Sequence, residues 1–216
     1  MGAREQIIKA ADKLFGEVGF DAATTREIAE LSGVNKALIH YHFKSKEALL
    51  ENVLDRYYEQ LNVTFRKALG KKGSMRDRFA NLVDTYVDFL ASNLNFSRIV
   101  QRESSGGKHM DRVSENLLPI FKMGMQMIQE AYPSTRSGDL AAHQMLVSFY
   151  GMIISYFTYS GVIEKLLDNN PLSKKEIELR KRHLMRMLDI VVEAMNKDEA
   201  AAKSKKKTGR ENNPRP

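Results

Sequence analysis

The sequence predicts an all-α protein in two domains, an N-terminal three-helix unit in a helix-turn-helix arrangement joined to a larger helical domain. Three observations predict it. Apolar residues recur with a 3.6-residue period through most of the chain. No segment shows sustained period-2 alternation rich in β-branched residues. And the stretch TTREIAELSGVNKALIHYHF holds two short capped segments around one glycine.

The first helix is expected from about Arg4 to Val18. Ile7, Ile8, Ala11, Leu14, Phe15 and Val18 share one face of it, and Gly19 stops it. The second is short. Thr24 or Thr25 caps it, and Thr24-x-x-Glu27 has the capping-box spacing, in which each side chain satisfies an orphan backbone N–H. Gly33 makes the turn. Asn35 caps a third helix over Lys36–His42, with Ile39 and Phe43 on one side and Ala37, His40 and Tyr41 on the other. Two short helices around a tight turn, braced by a longer one, form a helix-turn-helix. An ordinary three-helix bundle has the same pattern.

Residues 46–69 read as one long helix with Leu49, Leu50, Val53, Leu54, Tyr57, Leu61 and Phe65 as its stripe. Gly70-Lys71-Lys72-Gly73 is a loop, and Ser74 caps the next helix, which carries Phe79, Leu82, Val83, Tyr86, Phe89 and Leu90. A short helix over 95–104 precedes a loosening at Ser104–Gly107. The helix over 109–131 contains Pro119, which should kink or break it. Two long helices follow, over 139–168 and 174–197, separated at Pro171. The domains are therefore 1–46 and 47–197, with a basic tail over 198–216 that starts as fraying helix and ends disordered.

Composition narrows the function. The 216 residues are 43% hydrophobic and 28% charged, enough to bury a core. No stretch approaches the roughly 18 apolar residues of a membrane span, and no signal peptide opens the chain, so a cytosolic protein with no membrane partner is expected. Cysteine is absent, which excludes disulfides and thiolate metal sites. The net charge of +7 is weak evidence for nucleic acid: residues 197–216 alone contribute +4, whereas residues 1–50 hold seven charges of each sign. No Ser/His/Asp set, no phosphate-binding glycine loop and no metal-spaced cluster is present, so neither an enzyme nor a cofactor is expected. His40 and His42 stand two apart on a helix. They diverge by about 200° and do not converge on one ion.

The stretch TTREIAELSGVNKALIHYHFKSKEALL resembles the DNA-binding domain of the TetR family of bacterial transcriptional regulators. The resemblance spans about residues 4–50 without a gap, from a first helix ending in GF, through TTREIA, GV and the recognition helix, to HFKSKEAL. It departs at two groove-side positions: His40 stands where tyrosine is usual, and Leu38 where threonine is common. Operator preference therefore cannot be copied from a relative.

The resemblance implies a DNA-binding set of Thr25, Arg26, Asn35, Lys36, Ala37, Leu38, His40, Tyr41, His42 and Lys46. Thr25 and the second helix's first amides suit a phosphate. Arg26 matches a position that reaches a base edge, where arginine binds guanine O6 and N7. Ala37 allows close approach, Lys36 reaches a base or phosphate, and Leu38 meets a thymine methyl. Tyr41, His42 and Lys46 match backbone contacts. The resemblance also implies a homodimer through the last two helices, with Ser148, Gly151 and Ser155 permitting close approach. It implies an internal pocket for a small apolar or amphipathic effector. Phe79, Tyr86, Phe89, Phe121, Met125, Tyr150 and Phe157 are the candidate lining residues, and Gln101, Arg102, His109 and His143 unranked polar candidates. The function implied is a ligand-responsive repressor acting on double-stranded operator DNA. The alternative is a DNA-binding adaptor of the same fold controlled by a protein partner.

Overall fold

Side chains that accept a first-turn N–H start several helices, and three such caps, on Thr24, Asn35 and Ser45, position the N-terminal unit. The computed structural model describes residues 2–70, 72–104 and 109–211, with side chains through Lys205. Among the described residues there are ten α-helices and no strand. The first, α1 (Ala3–Glu17), buries Ile7, Ile8, Ala11 and Phe15. Next, α2 (Thr25–Ser32) begins on Thr24, not Thr25: the Glu27 N–H donates to Thr24 Oγ1 at 3.2 Å and the Thr24 N–H donates to Glu27 Oε2 at 2.8 Å. Asn35 Oδ1 accepts from the Ala37 N–H at 2.9 Å and starts α3 (Lys36–Phe43). Ser45 caps α4 (Lys46–Leu69) in the same way.

Ser74 and Asp77 form a second capping box at the head of α5 (Met75–Ser92). After it come α6 (Leu94–Ser104) and α7 (Met110–Ala131). The latter continues through Pro119 without a break. Pro119 is exposed, so water can satisfy the carbonyl whose partner N–H the proline removes. A 3-10 turn over Pro133–Arg136 leads to α8 (Ala142–Thr158). The single helix expected over 139–168 is two helices: α9 (Ser160–Leu167) follows α8 at 73°. The break falls at Tyr159 (φ −96°, ψ 22°), just before Ser160 and Gly161, both poor helix formers.

The last helix, α10 (Lys174–Glu211), overruns its expected end at 197, and the tail expected to start as fraying helix and end disordered is helical to Glu211. Glu199 holds it down. Its carboxylate accepts the Ser134 N–H at 2.9 Å from the 3-10 turn, and the alanines and lysines around it are strong helix formers. Ser105–Gly107 and residues 212–216, where loosening and disorder are expected, lie outside the described residues.

The buried residues form two clusters. One runs from α1–α4 through α5, α6 and α8, joining the two domains. The other gathers Ile128, Tyr132, Met145, Leu188, Val192 and Met195 between α7, α8 and α10. No single helix among the described residues is long and apolar enough to cross a membrane.

Candidate nucleic-acid interface

The turn between α2 and α3 sets which face α3 presents. Gly33 sits at φ +69°, a left-handed conformation that L side chains disfavour. The Gly33 N–H donates to the Glu30 carbonyl and the Val34 N–H to the Ala29 carbonyl, the paired bonds of a Schellman turn. The turn drives Ile39 and Phe43 into the core, each 3% exposed. Lys36, Ala37, Leu38, His40 and Tyr41 are left on the outside, with Tyr41 at 77%.

Thr25, Lys36, Ala37, His40 and Lys46 converge on one cleft, together with Ile39, Lys44 and Ser45. Thr25 and Lys46 are the first residues of α2 and α4, so the positive ends of two helix dipoles open here. Lys36 and Lys44 are exposed and enter none of the ion pairs among the described residues. A phosphate is the group this combination attracts. Leu38 and Tyr41 lie outside the cleft's rim. His42 is half-buried, its ring 5.1 Å from that of Tyr41 and edge-on to it.

Lys44 is absent from the sequence-based set. It follows α3 at φ +62°, ψ −42°, the centre of a γ-turn in which the Ser45 N–H donates to the Phe43 carbonyl at 2.7 Å. A lysine beside the recognition helix is the only signal the sequence carries; the positive φ is not legible from a non-glycine residue.

Lys46 corrects the sequence reading. Its ammonium donates to the carbonyls of Phe20 (2.8 Å), Asp21 (3.4 Å) and Ala23 (2.9 Å), and sits 4.3 Å from the Phe20 ring centroid. An ammonium has three donors, and all are engaged inside the protein. Lys46 clamps the loop leading into α2. Arg26 is held by Glu30 at 2.9 Å, a pair that raises its pKa and lies fully in solvent, so it is weak enough to open toward a base. Asn35 has its side-chain oxygen committed to the cap. The Thr24 hydroxyl and N–H hold the Glu27 carboxyl below its usual pKa. Among the described residues no group of three or more His, Asp or Glu could hold a metal.

The sequence profile of the tetR family of bacterial regulatory proteins matches residues 7–53. Over a longer span the chain is 30% identical to the HTH-type transcriptional repressor NicS of Pseudomonas putida, across 72% of this chain and 74% of that protein. The chain belongs to the tetR family. This tetR-family chain is also 33% identical to the HTH-type transcriptional activator FasR of Mycolicibacterium smegmatis, across 45% of the chain and 44% of that protein. It spans about half the length, 51% and 44%, of the first curated relatives it matches. A crystal structure of a TetR-family transcriptional regulator from Bordetella parapertussis shares the fold, with a TM-score of 0.70 at 16% identity over 86% of this chain and 93% of that one.

In its larger domain this tetR-family protein has an apolar cavity of ≈ 150 Å³, partly open to solvent, between α4, α5, α7, α8 and α10. Phe79, Tyr86, Phe121 and Tyr150 line it as the sequence suggested. Three candidates do not. Phe89 packs between Tyr57 and Phe96, with ring centroids 6.4 and 5.3 Å away. Phe157 is core, 1% exposed, and Met125 packs against the second cluster. The polar candidates also lie elsewhere: Arg102 bonds to the end of α1, His109 stacks edge-on at 4.7 Å against Phe20, Gln101 contacts Tyr159, and His143 is exposed.

Proposed function

We propose that the chain is a ligand-responsive transcriptional repressor that binds operator DNA as a homodimer. The observation that carries this reading is α4. Its 24 residues, about 36 Å of continuous helix, start in the basic cleft at Ser45–Lys46 and end in the cavity wall at Leu61, Phe65 and Leu69. A ligand that moves the cavity wall moves the clamp that holds α2 and α3.

A second link runs through α6. Arg102 donates to the carbonyls of Phe15, Gly16 and Glu17 at 3.1–3.2 Å, tying α6 to the end of α1, and Asn95 donates to Asp12 at 2.9 Å. Ligand binding thus selects between two spacings of the recognition helices, a population shift rather than a local switch. The open cavity supports a small molecule over a protein partner as the effector.

The dimer face is the outer side of α8–α10. A Cβ built on Gly151 meets nothing within 4 Å, so the Ser148/Gly151/Ser155 stripe points away from this subunit's own core. Around it Val147, Val162, Leu166 and Ile190 are exposed at 48–79%. Such an apolar surface marks an interface. NicS, matched over most of its length, is named a repressor, which supports repression as the sign of regulation.

Footprinting on the DNA upstream of the coding region tests the reading. Two protected half-sites spaced by about 10 base pairs or a multiple, on one face of the duplex, are expected. Protection without sequence preference overturns it.

A further inference from the structure

The helix α7 reaches from the cavity to the DNA-binding unit by a contact that neither α4 nor α6 makes. Its middle, from Leu117 to Ile128, forms part of the cavity wall, whereas no α6 residue is among the described residues that line it. At its head stands His109, the residue before Met110. The imidazole stacks edge-on against the Phe20 ring, with centroids 4.7 Å apart and planes at 79°. Phe20 is buried in the loop between α1 and α2. The Lys46 ammonium stands 4.3 Å from its ring centroid and bonds its carbonyl at 2.8 Å. Lys46 also bonds the carbonyl of Ala23, the residue before Thr24, which caps α2.

His109 Nε2 is buried and has no hydrogen-bond partner among the described residues. What the side chain presents to Phe20 is therefore a ring edge, and its contact works by shape. Close-packed interiors are stiff and pass strain on. At the other end of the helix segment, α7 approaches α8 closely. A Cβ built on Gly124, in the cavity wall, meets Leu146 Cδ2 at 3.1 Å. A group that widens the wall at this point shifts α7. About 22 Å of one continuous helix separates Gly124 from His109.

We infer that His109 is a positioning residue, which passes a shift of α7 at the cavity wall to Phe20 and so to the loop that carries the α2 cap. This rests on the proposed reading of the cavity as an effector site and of α3 as the face that reads DNA. His109 is not among the residues that line the cavity or the basic cleft, so it acts through Phe20 alone.

The test is a double-mutant cycle on operator affinity, read by fluorescence anisotropy of the full-length protein with its upstream duplex. Gly124→Val stands in for a ligand: it crowds Leu146, and valine is no worse a helix former than glycine. It should weaken operator binding by at least about fivefold, the lower end of common allosteric couplings. On a His109→Ala background the same change should weaken binding by less than about twofold, whereas independent sites this far apart would give the full loss again. His109→Ala alone should leave operator affinity nearly unchanged, because the Lys46 clamp remains. His109→Phe keeps an aromatic edge against Phe20 and should restore the loss caused by Gly124→Val. Circular dichroism checks each variant; if Gly124→Val loses helicity, Gly124→Ala replaces it and the same cancellation is expected. An equal loss on both backgrounds, no loss from the Gly124 change, or failure of His109→Phe to restore it overturns the inference. The signal then belongs to α4, to which Arg112 ties α7 through Asp55 at 2.6 Å. An unaltered protein that binds upstream and scrambled DNA equally brings down the proposed function, and this inference with it.

Discussion

Replacing Lys46 with methionine separates two roles that a cation at the head of α4 can have. Methionine keeps the apolar stem over Phe20 and removes three donors. A hydrogen bond from a charged donor contributes about 1.5–3 kcal/mol, but here the freed carbonyls border solvent and partly rehydrate. About 2 kcal/mol for the whole cluster is a reasonable magnitude. In a chain of 216 residues that lowers Tm by about 4–8 °C at fixed protein concentration. The second readout is the slope of log affinity for DNA against log salt. Each phosphate neutralised contributes about 0.9 to it. Since the ammonium is bound to Phe20, Asp21 and Ala23, affinity should fall through a loosened α2 while the slope stays the same. An unchanged Tm with a slope shallower by about 0.9 refutes the clamp and restores Lys46 to a phosphate.

The neighbouring lysine gives the opposite pattern. Lys44→Ala keeps the same backbone strain but removes an unpaired charge from the cleft, so Tm should hold while the salt slope drops by about 0.9; an unaltered slope removes Lys44 from the interface. A Cβ at Gly151 meets no atom of the subunit within 4 Å, so Gly151→Leu should retain helicity and sedimentation should show monomers; an intact dimer moves the interface elsewhere. The Glu27 carboxyl is depressed in the folded state by its Thr24 cap, so its contribution is present above the unfolded pKa of about 4.3 and is lost as pH falls through the lower folded value. Glu27→Gln should therefore flatten the acid limb of stability below about pH 5, and a limb identical to wild type would show that the cap does not persist in solution.

Local signals were legible in the sequence. Thr24-x-x-Glu27, Gly33, Asn35 and Ser74 act within a few residues of themselves, so spacing alone marks the caps and the turn. Ile39 and Phe43 followed from periodicity. What was hidden depends on partners distant in the chain. Lys46 reads as a surface cation until the Phe20–Ala23 loop, more than 20 residues earlier, is folded against it. Phe79 and Phe89 share one helix and one apolar pattern, yet one lines a cavity and the other fills the core, and only the packing of α4 and α6 distinguishes them. The run past residue 197 looked like a solvated tail, because the bond that pins it, from the Ser134 N–H to Glu199, spans 65 residues.

The central claim, that the face of α3 reads an operator, is tested most directly by fluorescence anisotropy with two duplexes of equal length at fixed salt. One is the chain's own upstream DNA and the other a scrambled sequence of the same composition. The account predicts at least about a thousandfold tighter binding to the upstream duplex, with the margin falling when Ala37 is replaced by a bulkier residue that holds the helix off the base edges. Equal affinity for both duplexes, or a margin unaffected by bulk at Ala37, would contradict it.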